Sequence, residues 1–104
     1  MIDVGKQLTT FLQQVSKNKR IQQSHLSLYS AMMMCCTKSH CHNPFRVTRR
    51  ELMKHSAIHS FSTYHKCMNE LVDYGYIDYQ PSYHPQLGSQ ITLLNAHDLI
   101  QSKP

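Results

Sequence analysis

The stretch VTRRELMKHSAIHSFSTYHKCMNELVDYGYI, residues 47–77, carries two helix starts and one helix stop in close succession. Thr48-Arg49-Arg50-Glu51 has the Thr-x-x-Glu pattern of a capping box, in which the first and fourth side chains satisfy each other's backbone N–H groups. Leu52, Met53 and Ala57 give the helix that follows an apolar side of about two turns. Ile58-His59 forms a joint, and Ser60 caps a second helix over 61–74. Gly75 stands where a left-handed C-terminal cap is wanted. On the second helix Tyr64, Cys67, Met68 and Leu71 share one side by their spacing, and Ser62, His65, Lys66 and Asn69 share the other. The first set is core. The second set is either an ordinary wet face or a face that reads something.

Around this unit the pattern is simpler. Val4, Leu8, Phe11, Leu12 and Val15 recur at helical spacing, and Lys17 to Arg20 break the pattern. That first helix either covers the core or makes a dimer contact. Ser24 is the expected cap of a helix running to about Ser39, with Leu28, Met32 and Cys35 or Cys36 as its inner stripe. Leu26, Tyr29 and Met33 widen the stripe, as in a central helix touched from two sides. Its methionines suit adaptable core filling. Phe45-Arg46-Val47 alternates as a very short strand. Tyr76 to Tyr79 and Gln90 to Leu94 form a hairpin, since Pro81, Pro85 and Gly88 mark 80–89 as a loop. Residues 95–104 read as a helical turn and a tail.

A short helix joined tightly to a longer one is a helix-turn-helix. With the strands and hairpin, the chain resembles the winged helix-turn-helix family of DNA-binding domains, MarR-like and GntR-like bacterial regulators among them. More loosely, it is similar to small basic winged-helix proteins of bacterial mobile elements. Thr48, Ala57, Ser60-Phe61-Ser62-Thr63, Tyr64 and Leu71-Val72-Asp73-Tyr74-Gly75-Tyr76-Ile77 carry the likeness. It implies a mostly helical α+β fold: a winged helix-turn-helix over residues 21–95, an additional N-terminal amphipathic helix over 1–20, and a tail over 96–104. The joint Ser56-Ala57-Ile58-His59 departs from the family by lacking glycine, and the hairpin tip Ser82-Tyr83-His84 lacks Arg and Lys.

The resemblance implies double-stranded DNA as partner, with helix 61–74 in the major groove and its first residues at base edges. Carried over by position, Phe61, Ser62, His65, Lys66 and Asn69 face the bases. Asn69 suits adenine, Lys66 guanine, Ser62 either, and Phe61 a thymine methyl. Phe61 has an alternative role as a staple on the preceding helix, and His65 as a plain solvent residue. Arg46, Arg49, Arg50, Lys54, Ser60 and Thr63 are the phosphate candidates, and Tyr83 and His84 the wing. Arg49 and Arg50 lie in a first helical turn, where the macrodipole disfavours each cation by about 0.3–1 kcal/mol. A phosphate offsets that cost; a solvated arginine simply tolerates it.

Charge points the same way. The 104 residues carry a net charge of +5, and between Lys38 and Lys66 six cations face Glu51 alone. A basic middle attracts polyanions, nucleic acid first and an anionic membrane second. No apolar run approaches the length of about 20 residues that spans a bilayer, and MIDVGKQLTTFLQQ lacks a continuous apolar signal core. A cytoplasmic location with reduced cysteines is therefore expected.

CCTKSHCH, Cys35 to His42, is rich in zinc-type ligands, and Cys36, His40, Cys41 and His42 are the four that would converge. No paired Cys-x-x-Cys or His-x-x-x-His completes the set, so no metal and no cofactor is expected, and the bland role is core cysteines before a polar loop. Six carboxylates at unsuggestive spacings, no glycine-rich phosphate loop and no Gly-x-Ser-x-Gly elbow argue against an enzyme. The expected function is sequence-specific DNA binding by a homodimeric regulator or mobile-element accessory protein, with the operator and any small-molecule effector unknown. The alternative is a winged helix that binds protein, motivated by six tyrosines, four of them between Tyr74 and Tyr83.

Overall fold

Local capping signals set where the helices begin and end. The computed structural model describes residues 3–40, 42, 44–81 and 88–94. Within them lie four helices and three strands in the order α1 Val4–Val15, α2 Gln23–Lys38, β1 Phe45–Val47, α3 Arg49–Ser56, α4 Phe61–Asp73, β2 Ile77–Gln80 and β3 Ser89–Leu93. This is a small, mostly helical α+β architecture. The expected hairpin tip with Tyr83 and His84, Cys41, and the C-terminal turn fall outside the described residues.

The sheet is antiparallel throughout, with strand order β1-β3-β2. Phe45 pairs with Ile91, and Ile91 with Tyr79 on the other side. The first strand therefore closes on the last, and α3, α4 and β2 are held in the span between them. Alternation places Phe45, Val47, Ile77, Ile91 and Leu93 on the buried side. Arg46, between two buried neighbours, is exposed. Gly88 precedes β3 with φ +73, and a Cβ there would stand 2.6 Å from the Val47 carbonyl oxygen. Only glycine lets β3 come this close to β1.

α2 is the central helix, in contact with α1, α3 and α4. Leu28, Tyr29, Ala31, Met32, Met33, Cys35 and Cys36 are buried, whereas Met34 is 47% exposed. Both cysteines thus face inward, and two of the three consecutive methionines fill core. Its N-terminus differs from expectation. Gln22, not Ser24, is the N-cap residue, and the His25 Nδ1 accepts the Gln22 backbone N–H at 2.8 Å. The imidazole takes the place that a Glu or Gln side chain holds in a capping box. Ser24 lies inside the helix, where its hydroxyl oxygen accepts from the Cys67 thiol at 3.2 Å.

α1 is sealed onto the rest of the chain. Asp3 caps it by accepting the Lys6 N–H at 3.0 Å. Phe11 stacks on Tyr29 with centroids 3.8 Å apart and meets Tyr76 edge-on at 5.1 Å. Gln7 Nε2 donates to the Tyr29 hydroxyl and to the Leu94 carbonyl, and Asn18 Nδ2 donates to the Tyr76 hydroxyl. Val4, Leu8 and Val15 pack against the core, leaving Leu12, at 44%, as the exposed member of the stripe. The covering role uses nearly the whole apolar face.

The joint between α3 and α4 turns on Ala57. Thr48 Oγ1 accepts the Glu51 N–H and Glu51 Oε1 accepts the Thr48 N–H, both at 3.2 Å, so the capping box is complete. α3 ends on Ala57 at φ 59, ψ 24, a left-handed conformation usually given to glycine. Ile58 is buried behind it, and the Ser60 hydroxyl accepts the Thr63 N–H at 3.4 Å to start α4. Gly75, at φ 85, stops α4. The Tyr76 N–H reaches the Leu71 carbonyl and the Gly75 N–H the Val72 carbonyl, the paired bonds of a Schellman motif. Tyr76 is used in that stop, so β2 starts one residue later than its alternation suggested.

Candidate nucleic-acid interface

α4 separates its side chains as the 3.6-residue period requires. Tyr64, Cys67, Met68 and Leu71 are at most 2% exposed. Ser62, His65, Lys66 and Asn69 are all exposed on the opposite side. Ser62 and Ser60 share a hydrogen bond between their hydroxyls at 2.9 Å. His65 leans edge-on against Tyr64 at 5.3 Å. Burial pushes the Tyr64 phenol above its ordinary range, with Tyr79 adding to the effect and Arg49 opposing it. Lys66 supplies a cation to the exposed side.

The other candidates surround that face or lie along α3 and β1. Arg49, Arg50 and Lys54 are exposed on α3, and Arg46 is exposed on β1 with Nη1 donating to the Gly88 carbonyl at 3.4 Å. Ser60 and Thr63 are exposed at the start of α4, but the Thr63 N–H is already given to Ser60. One contact joins the two helices at the surface. The Arg49 guanidinium sits 4.6 Å from the centroid of Phe61, which is itself 59% exposed. Phe61 thus meets the preceding helix α3, where its partner is a cation. Near the end of α3, Lys38 Nζ donates to His55 Nε2 at 3.2 Å.

A second polar group lies inside, between α2 and α4. His25 is 1% exposed, and its Nε2 is 2.8 Å from Glu70 Oε1. Because Nδ1 accepts from Gln22, the neutral ring carries its proton on Nε2 and donates it to Glu70. Tyr74 packs against the ring at 5.8 Å, and the Arg20 guanidinium covers Tyr74 at 4.2 Å. Sequence reading missed this group. Gln22-x-x-His25 carried a signal as an unusual reciprocal cap, whereas nothing in spacing pairs residue 25 with residue 70.

His25, Cys67 and Glu70 bring potential ligand atoms within 4.8 Å of one another. A metal on Nε2 would require the ring proton on Nδ1, directly against the Gln22 N–H that now donates there. The donor set fits a protonated hydrogen bond better than an ion. The same accounting leaves His25 no nitrogen with which to take the Cys67 proton. Cys67 instead donates to Ser24. Of the zinc-type set in 36–42, Cys36 is fully buried, with its thiol 3.8 Å from the His42 carbonyl, whereas His40 and His42 are exposed. Burial also pushes the Cys35 thiol up, helped by Glu51 and opposed by Lys38, so it is held as a thiol.

Among the described residues, no helix is long and apolar enough to cross a membrane. Comparison with models of known protein families, with curated proteins and with solved structures finds no match for this chain.

Proposed function

We propose that the chain is a winged helix-turn-helix protein that binds double-stranded DNA in a sequence-specific manner, as a bacterial regulator or mobile-element accessory protein. The observation that carries this is the outer side of α4: Ser62, His65, Lys66 and Asn69 form one exposed polar face, flanked by the exposed Arg49 of α3. α4 enters the major groove. Asn69 pairs with adenine and Lys66 donates to guanine. Arg50, Lys54 and Arg46 neutralise phosphates and set the register without reading sequence. α1 spends its apolar stripe inside the chain, so the proposal is made for one copy on DNA. Of the tyrosines that motivated a protein partner, Tyr29, Tyr64 and Tyr76 are buried and Tyr74 and Tyr79 partly so, while Tyr83 lies outside the described residues.

The experiment is selection from a random-sequence duplex pool at two salt concentrations. Enrichment of one motif is expected, with log affinity falling by about 0.9 per log unit of salt for each phosphate neutralised. Arg50→Ala should flatten that slope without changing the motif, and Asn69→Ala should relax one position of it. Absence of binding at low salt would refute the proposal.

A further inference from the structure

Each end of α4 carries an arginine stacked on an aromatic ring. At the first residue the Arg49 guanidinium lies 4.6 Å from the Phe61 centroid, and at the C-cap the Arg20 guanidinium lies 4.2 Å from the Tyr74 centroid. Arg49 comes from α3, whereas Arg20 comes from the segment between α1 and α2. With 13 residues, α4 is about 20 Å long. At about 100° per residue, Phe61 and Tyr74 fall on opposite flanks of the face formed by Ser62, Lys66 and Asn69. Arg20 is also held by its own segment. Its backbone N–H and Nε both donate to Asn18 Oδ1, at 3.0 and 3.4 Å, and Asn18 Nδ2 donates to the Tyr76 hydroxyl. Its terminal guanidinium nitrogens donate to no other described residue. That open planar fork matches a phosphate, and a side chain held before binding loses less freedom on binding. Lys17 and Lys19 are exposed beside it, so three cations stand against the exposed Asp73 at this end. The α4 macrodipole favours a cation here, but that effect needs neither the open fork nor the bonds to Asn18.

We infer that Arg20, steadied by Tyr74 and Asn18, contacts a backbone phosphate on the DNA strand opposite the one met by Arg50 of α3. This rests on the DNA-binding proposal above and adds a phosphate contact from a segment outside the helix-turn-helix. A groove about 12 Å wide is narrower than α4 is long, so the two ends of the helix meet its two walls. The contact fixes how α4 lies in the groove and reads no sequence itself. Tyr74 and Asn18 are positioning residues in this arrangement.

The test uses the full chain and the duplex enriched by selection, with single phosphates on each strand replaced in turn by neutral methylphosphonates. Wild type should lose affinity at positions on both strands. Arg20→Ala should select the same motif, bind more weakly and flatten the salt slope by about 0.9. It should also become indifferent to one methylphosphonate that weakens wild type, whereas Arg50→Ala should become indifferent to one on the other strand. Arg20 is exposed, so Arg20→Ala should melt like wild type; should it melt lower, Arg20→Gln, which keeps a donor for Asn18, takes its place. If the enriched duplex is bound and its sensitive phosphates lie on one strand only, the inference fails while DNA binding stands. It fails likewise if the Arg20 variant keeps the wild-type salt slope, or if it and Arg50→Ala lose sensitivity on the same strand. If no duplex binds at all, the DNA-binding proposal falls and takes the inference with it.

Discussion

The two sides of α4 obey opposite rules. On the inner side, His25 donates to Glu70 and Cys67 donates to Ser24, and the Tyr64 ring is buried to 1% exposure. On the outer side, the side chains of Lys66 and Asn69 hydrogen-bond to no other described residue, and Phe61 meets a cation instead of core. One helix thus carries a face that the fold uses and a face that the fold leaves open. The difference separates the buried side of α4 from its exposed side, residue by residue, over a single element.

The strongest way to break this contrast is a pair of truncations. Leu71→Ala removes a fully buried side chain and should cost about 2–5 kcal/mol of stability, seen as a large fall in melting temperature. Asn69→Ala, two positions away and exposed, should stay within about 0.5 kcal/mol of wild type. A large cost at Asn69 would mean that the outer face serves the fold after all.

Alkali probes the inner side next. Burial, more than the neighbouring thiol of Cys36 or phenol of Tyr76, raises the Tyr29 phenol from 10.0 to about 12, with the Gln7 hydrogen bond opposing the shift. The folded state favours the neutral phenol, so this contribution is complete below pH 10.0 and is lost as pH rises toward about 12. Tyr64 is raised in the same direction, also by burial first. Phenolate absorbance and circular dichroism followed together should show these tyrosines ionising only as the chain unfolds. Ionisation well before unfolding would show that the α1–α2 seam admits water.

A smaller effect is expected at the His25–Glu70 bond. Glu70→Ala deprives the buried Nε2–H of its acceptor and should cost about 1–3 kcal/mol in chemical denaturation. The lower end applies where water enters past Glu70, whose side chain is 29% exposed. Glu70→Gln keeps an acceptor oxygen and should recover most of the loss. Equal losses from both variants would mean that charge, not the hydrogen bond, holds α2 to α4.

The same contrast explains what was legible in the sequence. Thr48 with Glu51, Ser60 and Gly75 act within four residues or through one backbone angle, so their roles followed from residue type alone. The inner set of α4 and the in-out-in pattern of Phe45-Arg46-Val47 followed from period. Bonds across the chain did not. A histidine standing in for Glu at the start of α2 displaced the expected Ser24 cap, because its worth depends on Glu70 waiting 45 residues later. Period placed Tyr29 on the inner stripe of α2, but the Phe11 stack and the Gln7 bond that hold it there join residues too far apart for spacing to pair. The candidate site was legible as one helix face. The Arg49–Phe61 stack was not, since it depends on how the joint angles α3 against α4.

That joint yields the smallest and most discriminating prediction. Ala57 holds φ 59, and a left-handed conformation costs an L-residue roughly 1–2 kcal/mol. Ala57→Gly removes that cost but gives the unfolded chain more freedom, worth about 0.4–1 kcal/mol in the other direction. A net gain between roughly 0 and 1.6 kcal/mol is expected from these two opposing terms. Ala57→Val should lose stability, because a β-branched residue at positive φ is a steric outlier. Neither change touches the outer face of α4, so Ala57→Gly should leave affinity for the selected DNA unaltered. A glycine variant that is more stable but binds DNA more weakly would show that the strained alanine fixes the angle at which α3 presents Arg49 to Phe61. The joint would then belong to recognition as well as to the fold.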